Sequence, residues 1–235
     1  MQTSHQDEHY LSAEADAFHE RNHASNDPHT LRPYKRRILD RLDKVAIKPK
    51  RMIEFGCAYG DLLNHYAVDH GTEVFGVEPS AKAVDVGMNA YDGRVNLMQG
   101  TMADNPICAD PANEGTFDLI VVDDVFCWVS RETLFQSVAN LDALLADGGS
   151  LYIQEFLPLH QTRNANHHVT EGGVYCYKPR GPHMSMFTAS GMYEVVYQEI
   201  SLDTADAWVE DRGKPPFESR WSNVVLRKSL GDYFE

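Results

Sequence analysis

The chain has 235 residues, 43% of them hydrophobic and 24% charged, enough to enclose one full core without a disulfide or metal staple. Lys and Arg number 21 against 35 Asp and Glu, a formal charge of −14 at pH 7. A surface that acidic repels phosphate backbones and anionic lipid, which argues against nucleic-acid and membrane partners and for a small-molecule substrate.

Residues 1–28 are polar and end at Pro28. They read as an N-terminal arm, solvated or acting as a lid, because the weakly helical stretch from Tyr10 to Phe18 carries aromatic rings to bury. The acidic start lacks the basic and apolar regions of a secretory leader, and no apolar run nears the ~20 residues of a membrane span. From Thr30 the pattern predicts a helix with Pro33 in its first turn and Leu31, Tyr34, Ile38, Leu42 and Val45 on one face.

Strands and helices then alternate. Arg51–Phe55, Glu73–Val77, Val95–Met98 and Phe117–Val122 read as strands, the last an apolar run suited to burial on both faces. Between them, Asp61–His70 and Ser80–Tyr91 read as helices. A helix after Ser130 repeats Leu134, Val138, Leu141 and Leu145 until Gly148-Gly149 stops it, and Ser150–Phe156 follows as a strand. Residues 157–182 read as irregular, His183–Ser190 as a short helix, and Tyr193–Ile200 and Trp221–Lys228 as closing strands. Repeated β-α-β units predict a doubly wound α/β sheet with helices on both faces and the ligand at the carboxyl ends of its strands. Residues 29–235 are expected to form a single domain with a substrate-binding insertion at about 157–183. Cys57, Cys108, Cys127 and Cys176 form no C-x-x-C pair, which reads as reduced thiols in a cytoplasmic protein. A monomer and a homodimer remain equally compatible with the pattern.

The turn after the first strand, Glu54-Phe55-Gly56-Cys57-Ala58-Tyr59-Gly60-Asp61, places small residues where a backbone must approach a ligand. A dinucleotide site would carry its third glycine at position 61, and Asp61 there repels a pyrophosphate, which disfavours a nicotinamide-dependent reductase. Glu78 ends the second strand and suits the two hydroxyls of a ribose. The pair of signals describes an adenosine-containing, cationic ligand.

These segments resemble a class I S-adenosylmethionine-dependent methyltransferase over residues 50–156. IEFGCAYGD resembles the family's E-x-G-x-G-x-G motif with Ala58 in place of the middle glycine, VFGVEPS its second motif, LMQGTMAD the adenine segment, and FDLIVVDDVFCWV the fourth motif. The resemblance implies a Rossmann-like sheet of seven strands, mostly parallel, with the last strand antiparallel. It implies S-adenosylmethionine as cofactor, held by Glu54, Gly56, Ala58, Gly60, Glu78, Pro79, Thr101, Met102 and Asp123. Where many relatives end the fourth motif in Glu-His, this chain has Cys127-Trp128, so a general base must come from elsewhere, and Trp128 is expected to pack on cofactor or substrate.

His160, nearest the end of the fifth strand, is the first choice of base and His183 the second, with Glu155 behind them. Arg163, Lys178 and Arg180 suit a carboxylate or phosphate on the substrate, and Tyr175 and Tyr177 a sugar face or an aromatic ring. The histidines of this stretch have no metal-ligand spacing, so no metal is expected. A looser resemblance of EADAFHERN and of the segment around SGMYEVVY is to bacterial methyltransferases of sugars and secondary metabolites. The resulting expectation is O-methylation of a sugar or sugar-linked compound. The alternatives are C- or N-methylation of a secondary-metabolite or phenolic acceptor, and a non-catalytic module that only binds S-adenosylmethionine.

Overall fold

The computed structural model describes residues 4–158, 160–169, 173–179, 181–202 and 220–231. The chain opens with α1 (His5–His9), a π-helical turn (Tyr10–Glu14), α2 (Ala15–Asn22) and α3 (Pro33–Lys44). Then β1 (Arg51–Phe55), α4 (Asp61–His70), β2 (Glu73–Glu78), α5 (Ala81–Ala90), β3 (Asn96–Gln99), α6 (Pro106–Ala109), β4 (Phe117–Asp123), α7 (Leu134–Leu144) and β5 (Leu145–Phe156) alternate. A hairpin of β6 (Thr162–Ala165) and β7 (Tyr175–Lys178) lies within the stretch that reads as irregular in sequence. It is followed by α8 (Ser185–Thr188), β8 (Tyr193–Leu202) and β9 (Arg220–Lys228).

The seven-stranded sheet has the order β3-β2-β1-β4-β5-β9-β8. The first five of these are parallel, and β9 runs antiparallel between β5 and β8. Alternation along the central strands feeds two cores. Ile120 and Val122 of β4 join Ile53, Phe55, Leu141, Ile153 and Val224 on one face. Leu119 and Val121 join Ile38, Leu42, Leu62, Tyr66 and Tyr152 on the other. Each such side chain, taken fully from water, contributes about 1.5–3 kcal/mol.

Helix starts follow their caps. Ser80 accepts from the Ala83 amide at the head of α5, and Ser4 and Asp7 close a reciprocal capping box on α1. On α3 the face differs from the sequence expectation: Tyr34 is 38% exposed, while Lys35 is buried beside Ile38 and Leu42. The reason is electrostatic and is found at the ends of β1 and β4.

The chain reverses direction across the sheet between β1 and β4, the switch point at which doubly wound sheets of this kind take their ligands. Among the described residues, no helix is long and apolar enough to cross a membrane.

Candidate active site

Three residues in the turn after β1 take the left-handed conformation: Gly56 at φ +70, Ala58 at +52 and Gly60 at +82. Ala58 thus holds a glycine conformation at a cost of about 1–2 kcal/mol. The turn is packed tightly. A Cβ on Gly56 would lie 2.5 Å from Val125 Cγ2, in the loop after β4, and one on Gly87 would lie 2.3 Å from the Tyr59 carbonyl oxygen. Glycine at 56 is therefore demanded by the protein's own packing and by its positive φ.

Glu78, at the end of β2, is buried and braces this turn. Its two oxygens accept from the Ala58 amide at 2.8 Å and the Ser80 amide at 2.9 Å. Burial pushes its carboxyl pKa up, and the two amides pull against that. Each oxygen still has a lone pair for a further donor. Pro79 follows, and its carbonyl accepts from Gln99.

The acids expected to face a cation have partners within the chain. Asp61, at the head of α4, accepts from the Arg32 backbone and Nε at 2.9 Å and from its Nη2. Lys35 reaches between the ends of β1 and β4, with its Nζ 2.5 Å from Glu54 Oε1 and 2.9 Å from Asp123 Oδ2. One oxygen on each acid, Glu54 Oε2 and Asp123 Oδ1, is buried without a hydrogen-bond partner. A buried carboxylate oxygen in that state wants a donor, and a cationic ligand supplies one.

Beside Glu78, on the β3 side, is a cavity of about 430 Å³ lined by Gln99, Gly100, Asp104 and Asn105, with Leu11 of the arm over it. The Thr101 hydroxyl oxygen accepts from the Asp104 amide at 3.1 Å. Met102 is 3% exposed and belongs to the core with Phe126 and Leu134. Asp104 is the acid that lines this cavity.

The arm forms the roof. Gln6 bonds the carbonyls of Trp128 and Tyr175, and Thr133 donates to Asp7 at 2.9 Å. Asp16 accepts from Ser80 Oγ at 2.7 Å, and Glu20 pairs with Lys82. Trp128 meets Tyr10 edge-on, at 6.2 Å between ring centres.

At the end of β5 the two candidate bases separate. His183 is buried; its backbone donates to Glu155 Oε1 at 2.7 Å and its Nδ1 meets Glu155 Oε2. Its ring stacks on Phe126 at 4.9 Å and 12°. His160 is exposed, as are His167 and His168. Each hairpin cation lies over a ring: Arg163 over Tyr175 at 4.5 Å and Lys178 over Phe156 at 3.6 Å. Arg180 lies outside the described residues. All four cysteines are free, and among the described residues no group of three or more His, Cys, Asp or Glu is placed to hold a metal ion.

Sequence reasoning did not single out Lys35, Arg32 or Asp104. For Lys35 the signal was present, because 31, 35, 38 and 42 share one helical face.

A doubly wound sheet of this order, with an acid-braced glycine turn at its switch point, is the fold of class I methyltransferases. Residues 26–199 match a family model described as a methyltransferase domain, and the chain belongs to that family. It is an S-adenosylmethionine-dependent methyltransferase, and S-adenosylmethionine is its cofactor. No curated protein matches the chain. Among solved structures it is similar to the 1,6-didemethyltoxoflavin N1-methyltransferase of Burkholderia thailandensis, bound to its substrate and S-adenosylhomocysteine. That match has a TM-score of 0.66 at 13% identity and covers 97% of this chain and 93% of that one. The N-methyltransferase NodS of Bradyrhizobium japonicum, with S-adenosylhomocysteine, matches at TM-score 0.58 and 16% identity over 91% and 98%. The [4+2]-cyclase SpnF matches at 0.62 and 14% over 88% and 86%.

Proposed function

We propose that the protein transfers the methyl group of S-adenosylmethionine to an O–H or N–H of a small polar acceptor, with His183 as the general base. The buried His183–Glu155 pair carries this reading. Glu155 fixes the ring and its tautomer, Phe126 holds its plane, and the imidazole then accepts the acceptor's proton at Nε2. When bound, the donor supplies an electrophilic methyl on a cationic sulfur. The chain's own work is binding, alignment and exclusion of water.

The donor site comprises Glu54, Gly56, Ala58, Gly60, Glu78, Pro79, Thr101, Met102 and Asp123, with Glu78 toward the ribose. Thr101 and Met102 hold this segment in place, Thr101 through its hydrogen bonds with Asp104 and Asn105 and Met102 through its burial in the core, and Asp104 receives the adenine amino group in the neighbouring cavity. Residues 1–28 act as the lid and about 157–183 as the acceptor-binding insertion. On the acceptor, the half-buried Lys178 and the exposed Arg163 support a sugar or sugar-linked phosphate methylated on oxygen. A planar heterocycle methylated on nitrogen is the second reading, favoured by the stacked Phe126–His183 pair and by the toxoflavin-precursor neighbour.

His183→Ala should lower the methylation rate by about 10²–10⁴ while S-adenosylhomocysteine affinity stays within about twofold. His160→Ala, assayed beside it, should cost less than about tenfold. The assay screens sugar phosphates, nucleotide sugars, phenols and N-heterocycles for methylated product. A large loss on His160→Ala with little on His183→Ala would reverse the assignment.

A further inference from the structure

Lys35 is a fully buried ammonium, and it contacts acids from two different strands. Two bare carboxylates so close together would not both stay ionised in a buried site. Each of these acids keeps one buried oxygen unpartnered, near the carboxyl ends of β1 and β4. Glu54 and Asp123 thus have their first cation built in and lack a second.

We infer that Lys35 is a positioning residue for the methyl donor. Its ammonium holds Glu54 and Asp123 ionised and fixed in the empty protein, so that their free oxygens receive the cationic end of S-adenosylmethionine without a proton having to leave. The inference rests on the donor-site reading above and adds a residue that does not itself touch the donor.

The other groups facing the pair do not replace Lys35. They are Arg32 and Tyr34 beside it, Asp61 of α4, Cys57 of the turn, Glu78 of β2, Tyr152 of β5, Asp124 beyond β4 and His23 of the arm. The Arg32 charge is committed to Asp61. Burial pushes the Glu54 carboxyl up and Lys35 opposes that; the Lys35 ammonium, despite its own burial, is held protonated by Asp123 and Glu54.

Removing the ammonium should make the acid pair retain one proton, which donor binding must then expel. In Lys35→Met, S-adenosylhomocysteine affinity measured by calorimetry should fall about tenfold per pH unit as the pH is lowered from about 8.5 to about 6. Wild type and Lys35→Arg should stay flat. Affinity in Lys35→Met that does not vary with pH, whether unchanged or lost throughout, would overturn the inference. Wild type provides a test that does not depend on the variant folding. Titrated in buffers of different ionisation enthalpy, it should exchange no proton on binding S-adenosylhomocysteine. Release of about one proton would mean that the pair is protonated despite Lys35, and would overturn the inference. Absence of any wild-type binding would overturn the donor-site reading itself, and this inference with it.

Discussion

Glu78 does two jobs with one carboxylate. It ties the Ala58 and Ser80 amides together, fixing the turn against the head of α5, and its remaining lone pairs are the ones proposed to take the ribose hydroxyls. Glu78→Gln keeps one acceptor and removes the charge, so S-adenosylhomocysteine binding should weaken by about 1.5–3 kcal/mol, read by calorimetry. Affinity equal to wild type would move the ribose elsewhere. At this scale the sequence placed Glu54, Gly56, Glu78 and Asp123 at strand ends or in the first turn, and that is where the fold has them. The sequence was not readable where a side chain acts from a distant element. Lys35 lies 19 residues before Glu54 and 88 before Asp123, and only the folded sheet brings the three together. Likewise His160 is nearer in sequence to the end of β5, but His183 is the histidine brought back onto Glu155.

The arm shows how an element with little hydrophobic periodicity can still fold. Its attachments are polar and tertiary: Gln6 to the hairpin and the loop after β4, Asp16 and Glu20 to α5, and Glu14 to Asn166. None of these partners is visible in a local window, which is why residues 1–28 read only as an arm or a lid. Two histidines make its docking sensitive to acid. His19 and His23 pack around Tyr59, and the Nδ1 of each is buried without a partner. Burial lowers the pKa of both; Arg32 lowers them further and pushes His23 down to about 4, against the opposing pull of Asp16 and Glu20 on His19 and of Asp61 on His23. A histidine whose docked pKa is depressed favours docking above its free pKa of about 6.5 and penalises it as the pH falls toward the docked value. Protease cleavage within residues 4–22 should therefore increase between about pH 6.5 and about pH 4. His19→Gln/His23→Gln should flatten that rise. A cleavage rate independent of pH in the wild type would mean that the buried imidazoles do not govern the arm.

Across the whole molecule the sheet was the most legible part, because burial on both faces imposes near-continuous apolar runs such as Leu119–Val122 and the β-α-β alternation fixes strand direction. The hairpin of β6 and β7 was not legible, since its strands are short and β6 is exposed throughout. With the order β3-β2-β1-β4-β5-β9-β8, one end of the sheet collects the turn after β1, Glu78, the cavity beyond β3, Asp123 and the arm above them. Among the described residues, the opposite end carries the connections that lead into β1, β2 and β4 and the segment after β9. Donor binding at the first end is the central claim, and amide hydrogen exchange of the full chain with and without S-adenosylhomocysteine tests it most directly. Added protection is expected at the turn over 54–61, at the ends of β2, β3 and β4, and in the arm over 4–22, with none at the strand starts near Arg51, Glu73 and Phe117. Protection confined to those strand starts, or no change anywhere at saturating ligand, would contradict it.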